Sequence, residues 1–176
     1  MPLCPKTSIY SCLLGAIVLV WSILFVSCTT NSPPSDDVLI EAFQKNQSDY
    51  PDLVSIFDLN RDLREVSARS LKSDDFDKAG ISKSNISKYR RLCDRLGISL
   101  LLRWNPGIIW LIRYDRHPFP PGGTYKGYAL LADSPSDPVY DLDSYYEKLK
   151  QGSITKSFTV YRQIHENWYL FLDYED

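Results

Sequence analysis

Residues 98–114 read ISLLLRWNPGIIWLIRY. Two short runs dominated by Leu, Ile and Trp flank Asn105-Pro106-Gly107. Each run is too short for a stable helix and has strand composition, and the three residues between them are turn formers, so the stretch predicts a β-hairpin. Three later stretches share this texture: YKGYALLAD (125–133), KSFTVYRQI (156–164) and NWYLFLDYE (167–175). The last two are joined by His165-Glu166-Asn167, short enough for a second hairpin. Between YKGYALLAD and KSFTVYRQI, SPSDPVYDLDSYYEKLKQGS (134–153) predicts a turn-rich loop and one short helix over 142–150. The result is an antiparallel sheet of about five strands.

Upstream the period changes. SDDVLIEAFQKNQSDYPDLVSIFDLNRDL (35–63) has N-cap candidates at Asp36 and Asp37. Its apolar positions are Leu39, Ala42 and Phe43, then Leu53, Ile56 or Phe57, and Leu59 or Leu63. This spacing predicts two helices, with a break near Tyr50-Pro51 because proline disfavours helical geometry in the residue before it. In NISKYRRLCDRLGIS (85–99), Ile86, Tyr89, Leu92, Cys93 and Leu96 form a helical stripe. Ser82 or Ser84 is positioned to cap that helix and Gly97 to stop it. Between these helices, EVSARSL (65–71) resembles a short strand and SDDFDKAGISKSN (73–85) a loop. The fold class is therefore α+β, with N-terminal helices packed on one face of the sheet. There is no internal repeat.

Strand alternation sorts the hairpin into two rows. The expectation is that Leu100, Leu102, Trp104, Trp110 and Ile112 face the helices. The opposite side then carries Leu101, Ile109 and Leu111, together with a candidate binding face of Arg103, Arg113, Tyr161, Tyr169 and Phe171. Aromatic residues mixed with arginine have the composition of binding hot spots. The loop 115–125 borders this region and holds His117 and Phe119, the latter among three prolines, as a candidate loop site.

The amino-terminal part is of another kind. Ser8–Ser27 reads SIYSCLLGAIVLVWSILFVS, and no charge occurs from Thr7 to Ser35. Such a run predicts an export signal or a membrane anchor. Phe25-Val26-Ser27-Cys28 resembles the bacterial lipobox, with phenylalanine where leucine is usual. The resemblance implies cleavage before Cys28, a diacylglycerol on its thiol and an acylated new amino terminus. Two or three acyl chains, at about 0.8 kcal/mol per buried methylene, hold a protein on a bilayer effectively permanently. Thr29 after the cysteine implies outer-membrane placement in enteric-type bacteria. The domain expectation is a signal peptide at 1–27, a lipidated tether at 28–37 and one α+β domain at 38–176. An uncleaved transmembrane anchor is the alternative.

Cleavage leaves 149 residues, enough for one core, with 19 basic and 22 acidic side chains. Such a near-neutral balance argues against a general polyanion binder. The charge is uneven: residues 61–116 carry 13 bases against 7 acids, between acid-rich flanks. Pairing between the segments on folding is the expected outcome. After processing, Cys93 is the only thiol left, so no intramolecular disulfide is expected, and its helical stripe marks it as a small buried apolar residue.

A search for chemistry returns little. Neither His117 nor His165 has a partner at metal-ligand spacing, and no cofactor or metal is expected. The acids Asp133, Asp137, Asp141 and Asp143 lack the calcium-loop pattern and read as turns and a helix cap. GGTYKG (122–127) lacks phosphate-loop spacing and reads as a turn entering a strand. Lys126-Gly127-Tyr128-Ala129 opens like an RNA-recognition consensus, but Leu130 and Asp133 stand where that motif needs stacking rings, so no nucleic-acid partner is expected.

IEAFQKNQSDYPDLVSIF, KYRRLCDRLGI, GTYKGYALL and QIHENWYLFLDYE together make the chain resemble small bacterial lipoproteins of uncharacterised function. That resemblance implies no catalytic residue. The functional expectation is a non-enzymatic binding or inhibitor module of the cell envelope, held to the membrane through lipid on Cys28, with an envelope protein or peptidoglycan as partner. The alternative is a tethered hydrolase using His117.

Overall fold

The computed structural model describes residues 32–59, 63–68, 80–116 and 123–176. Cys28 and the apolar run before it lie outside the described residues, as do His117 and Phe119. Residues Pro33–Asp176 form one compact unit. Its described elements are helices α1 (Asp36–Lys45), α2 (Asp49–Asp58), α3 (Lys83–Leu96) and α4 (Leu142–Lys150). The strands are β1 (Glu65–Ser67), β2 (Leu100–Asn105), β3 (Ile108–Arg116), β4 (Gly123–Leu131), β5 (Phe158–His165) and β6 (Trp168–Glu175). They form one antiparallel sheet in the order β1-β2-β3-β4-β6-β5. The class is α+β, with six strands rather than five. The sixth is the short run in EVSARSL, which pairs Val66 with Leu101 at the sheet edge.

Local signals explain the boundaries. Ser35, not Asp36 or Asp37, caps α1 by accepting from the Val38 N–H. Ser82 caps α3 through the Asn85 N–H, and Gly97 ends it in the left-handed region at φ 64°. Asp141 caps α4 by accepting from the Ser144 N–H. The break between the first two helices falls at 46–48, not at Tyr50-Pro51. Pro51 instead sits in the first turn of α2, where its missing N–H removes no intrahelical bond.

The sheet is apolar on both sides. One core joins Leu39, Phe43, Leu53, Phe57, Tyr89 and Leu92 of the helices to Leu101, Leu111, Tyr128, Leu170 and Leu172 of the sheet. A second cluster on the other face consists of Trp110, Ile112, Ala129, Leu131, Tyr169 and Phe171, flanked by Leu100 and Leu102. The two faces are thus exchanged relative to expectation: it is the Leu101–Leu111 row that packs with helical residues. Period-two alternation separates the rows correctly, but both rows are apolar, so it does not say which one meets the helices. Gly127 lies where β3 bulges between Ile112 and Tyr114, and a Cβ there would sit 2.1 Å from the Leu111 carbonyl oxygen.

A charge cluster is buried between sheet and helices. Lys126 of β4 has no solvent exposure and Asp36 only 2%. The Lys126 ammonium is 2.7 Å from Asp36 Oδ1 and donates to Asp143 Oδ1 at 2.5 Å. Arg162 Nη1 donates to Asp36 Oδ2 at 2.8 Å, and so does the Leu142 N–H at 2.9 Å. The Asp36 N–H returns a bond to Asp143 Oδ2. Asp36 is therefore part of the packed domain, not of the polar tether expected through residue 37. Burial pushes the Asp36 carboxyl upward, but the hydrogen bonds from Lys126 and Arg162, the Lys126 charge and the Leu142 N–H together hold it below its ordinary 3.8.

A depressed folded pKa contributes stability that is present above the unfolded value and lost as pH falls through the folded one. Lys126→Met, which leaves a buried carboxylate short of its main partner, should destabilise by about 3 kcal/mol at pH 7. Urea unfolding should show the gap to wild type narrowing below pH 3.8.

Candidate functional site

The expected binding face does not come together as one surface. Arg103 and Arg113 belong to the helix side. The Arg103 guanidinium is 2.6 Å from Asp58 of α2 and lies 5.0 Å over the Phe57 ring. Arg113 packs against Gly97 at the end of α3, where an added Cβ would approach its Nη2 to 2.8 Å. Tyr161, Tyr169 and Phe171 belong to the second face, with Tyr161 edge-on to Tyr169. Phe171 has no solvent exposure, Tyr169 is buried and Tyr161 half-buried.

The second face is organised instead around stacked rings. Trp110 lies parallel to Phe171 at 4.5 Å and 15°, and Trp104 lies on Trp110 at 5.0 Å and 14°. Ala129 and Gly127 of β4 stand between β3 and β6 on this face, so no side chain larger than a methyl separates Trp110 from Phe171. The stack begins in the buried interior and ends at Trp104, which is 55% exposed.

Trp104 opens onto a cavity of about 860 Å³ at the end of the sheet. The β2–β3 turn contributes Asn105, Pro106 and Gly107, and the end of β4 contributes Leu130, Leu131 and Ala132. Asn167 comes from the β5–β6 turn, and Asp58, Arg64 and Arg103 close the helix side. The turns are held by Asn105 Oδ1, which accepts from the Gly107 N–H at 3.0 Å, and by backbone bonds from Ala132 to Gly107 and from Leu131 to Asn167. Arg64 is exposed and has no carboxylate partner among the described residues. Sequence reasoning placed only Arg103 of these residues in a binding role. The legible signal was a tryptophan beside an Asn-Pro-Gly turn; the approach of Arg64 and Asn167 depends on tertiary pairing.

Other reactive groups are accounted for locally. Cys93 is buried as expected, and burial pushes its thiol up to about 12. His165 ends β5, with Glu166 at 3.9 Å and the Phe43 ring centroid 6.4 Å away. Oxygens of Asp36, Asp141 and Asp143 approach within 4.8 Å of one another, a spacing that suits a cation, but the Lys126 ammonium already bridges Asp36 and Asp143. Among the described residues no helix is long and apolar enough to cross a membrane. The chain matches no family model, no curated protein and no solved structure.

Asp173 on the second face is 5% exposed, and its Oδ2 lacks a hydrogen-bond partner. Burial raises its pKa, the Thr159 hydroxyl donating to Oδ1 at 2.5 Å offsets this in part, and Glu175 adds to it. A carboxyl with a raised folded pKa weakens the fold once ionised, above that pKa, and not below its ordinary value. Asp173→Asn should therefore stabilise by about 1 kcal/mol at pH 7 and by nothing below pH 3.8, as read by unfolding midpoints at the two pH values. Maleimide should label Cys93 at least tenfold more slowly in native protein than in urea.

Proposed function

We propose that the protein is a lipid-anchored, non-enzymatic binding module of the bacterial cell envelope. It is fastened through Cys28, and it meets its partner at the Trp104 groove. The observation that carries the reading is the exposed tryptophan, backed by two parallel rings and opening onto a groove edged by guanidinium and amide groups.

The entry point of the chain supports it. α1 begins at the Lys126–Arg162 cluster and runs toward the β5–β6 turn, where Phe43 packs on Trp168 and lies near His165. Its ten residues span about 15 Å, so the chain enters that far from the end of the sheet that carries the groove. Six residues lie between Cys28 and Ser35, and the seven Cα-to-Cα steps reach at most about 25 Å. A lipid on Cys28 keeps the entry end within that distance of the bilayer and leaves the groove end free to face away from it.

Intact-mass measurement on membrane-fraction protein should show loss of residues 1–27 and a lipid adduct at Cys28, and Cys28→Ser should abolish both. Retention of the amino-terminal run without lipid would replace the lipid anchor by a transmembrane one. A photo-cross-linker at Pro106 should capture an envelope component that one at Val38, on α1, does not.

A further inference from the structure

We infer that the groove at the turn end of the sheet is a binding site for a glycan chain carrying carboxylate groups. The inference rests on the binding-module reading for its setting and names the ligand class of that same groove.

Trp104 stacks on Trp110, which stacks on the fully buried Phe171, so one face of the Trp104 ring is backed and its orientation is set before any ligand arrives. A preformed platform loses little rotamer entropy on binding. The C–H face of a pyranose ring is flat and slightly positive, and it fits the electron-rich face of an indole.

Asn105, next to the tryptophan in the chain, and Asn167, across the groove at the β5–β6 turn, line it with planar amides. The Asn105 oxygen is already used by the Gly107 N–H, which leaves its amide nitrogen as donor. Neighbouring sugar hydroxyls are matched by paired, planar hydrogen-bonding groups of this kind.

Of the two guanidiniums in the groove, Arg103 is committed to Asp58, whereas Arg64 has no carboxylate among the described residues. Arg64 is thus the guanidinium that the described residues leave for a ligand, and the fork geometry of arginine suits a carboxylate. Two guanidiniums in a groove that also holds Asp58 are too little positive charge for a phosphate polymer, whose binding draws on many cations at once.

Composition separates a glycan from a protein partner. Among the described residues, the large exposed apolar side chains are Val38, Leu59, Trp104 and Tyr140, and of these only Trp104 lines the groove. A stable protein interface buries about 800 Å² per side around several apolar anchors. One ring framed by amides and guanidiniums suits a narrow polar chain, and about 860 Å³ accommodates a few sugar units.

The test uses the full-length protein in detergent micelles and calorimetric titration. The probe is a tetrasaccharide of alternating N-acetylglucosamine and N-acetylmuramic acid with free lactyl carboxylates, compared with the same tetrasaccharide amidated at those groups. The carboxylated form should bind about tenfold more tightly than the amidated one. Trp104→Ala should weaken both by tenfold or more. Arg64→Gln should bring the two forms to equal affinity while weak binding persists. Both side chains are exposed, and matched thermal melting confirms that each variant is folded. Absence of binding, equal affinity of the two forms for wild type, or an unaltered Trp104→Ala variant overturns the inference. If no tetrasaccharide binds but the Pro106 cross-link captures an envelope protein in a Trp104-dependent way, the glycan assignment falls and the binding-module reading stands. If Cys28→Ser is processed like wild type while the tetrasaccharide still binds as expected, the anchoring falls and the glycan site stands.

Discussion

An ammonium group with no access to water is tolerated only when its charge is answered in place, and Lys126 sets that condition for this domain. Its two acids come from the first turns of α1 and α4, and Asp36 is shared in turn with Arg162 of β5. Residues 36, 126, 143 and 162 must therefore be in place together. Once Asp36 is held there, Leu39 and Phe43 fall one and two turns along α1, and the Leu39 carbonyl accepts from the Tyr128 hydroxyl at 2.9 Å. The aromatic cluster of Phe43, Tyr50, Tyr128 and Trp168 closes around that contact, with centroids 4.8–5.9 Å apart. The charge network thus fixes where α1 lies, and the position of α1 fixes where the chain enters.

The same arrangement separates support from recognition. Ionic groups that would ordinarily suggest a site, two aspartates and two cations, are consumed in joining helices to sheet. Trp104, Asn105, Asn167 and Arg64 are among the residues left facing solvent at the turn end. A sheet that is apolar on both faces can leave its broad surfaces closed and still carry a recognition element where strands end, because turns present side chains and backbone without interrupting the ladder.

Much of this architecture was legible in the sequence, and the failures have definite causes. Both hairpins, the α3 stripe with Gly97 as its stop, and α4 over 142–150 follow from local period and turn chemistry, and all are found. The face assignment failed because Leu100/Leu102 and Leu101/Leu111 are equally apolar, and because arginine was taken to mark solvent. Arg103 instead donates from Nη2 to Asp58, 45 residues earlier in the chain. The tether was drawn too long because Ser-Asp-Asp is polar in isolation, while the partners that bury Asp36 stand 90 to 126 residues further on. Trp104 was assigned to the helix side, and the groove it lines joins residues from five segments, a convergence no local pattern encodes.

The stacked indoles give the protein an optical property as well as a surface. Two tryptophan rings 5.0 Å apart and within 14° of parallel behave as a coupled chromophore pair, distinct in circular dichroism and fluorescence from Trp168 in the helix-side core. One member of the pair is buried and the other stands at the mouth of the groove. Whatever enters the groove alters the environment of a single partner, so the native chain carries its own spectroscopic reporter of occupancy, with no label added.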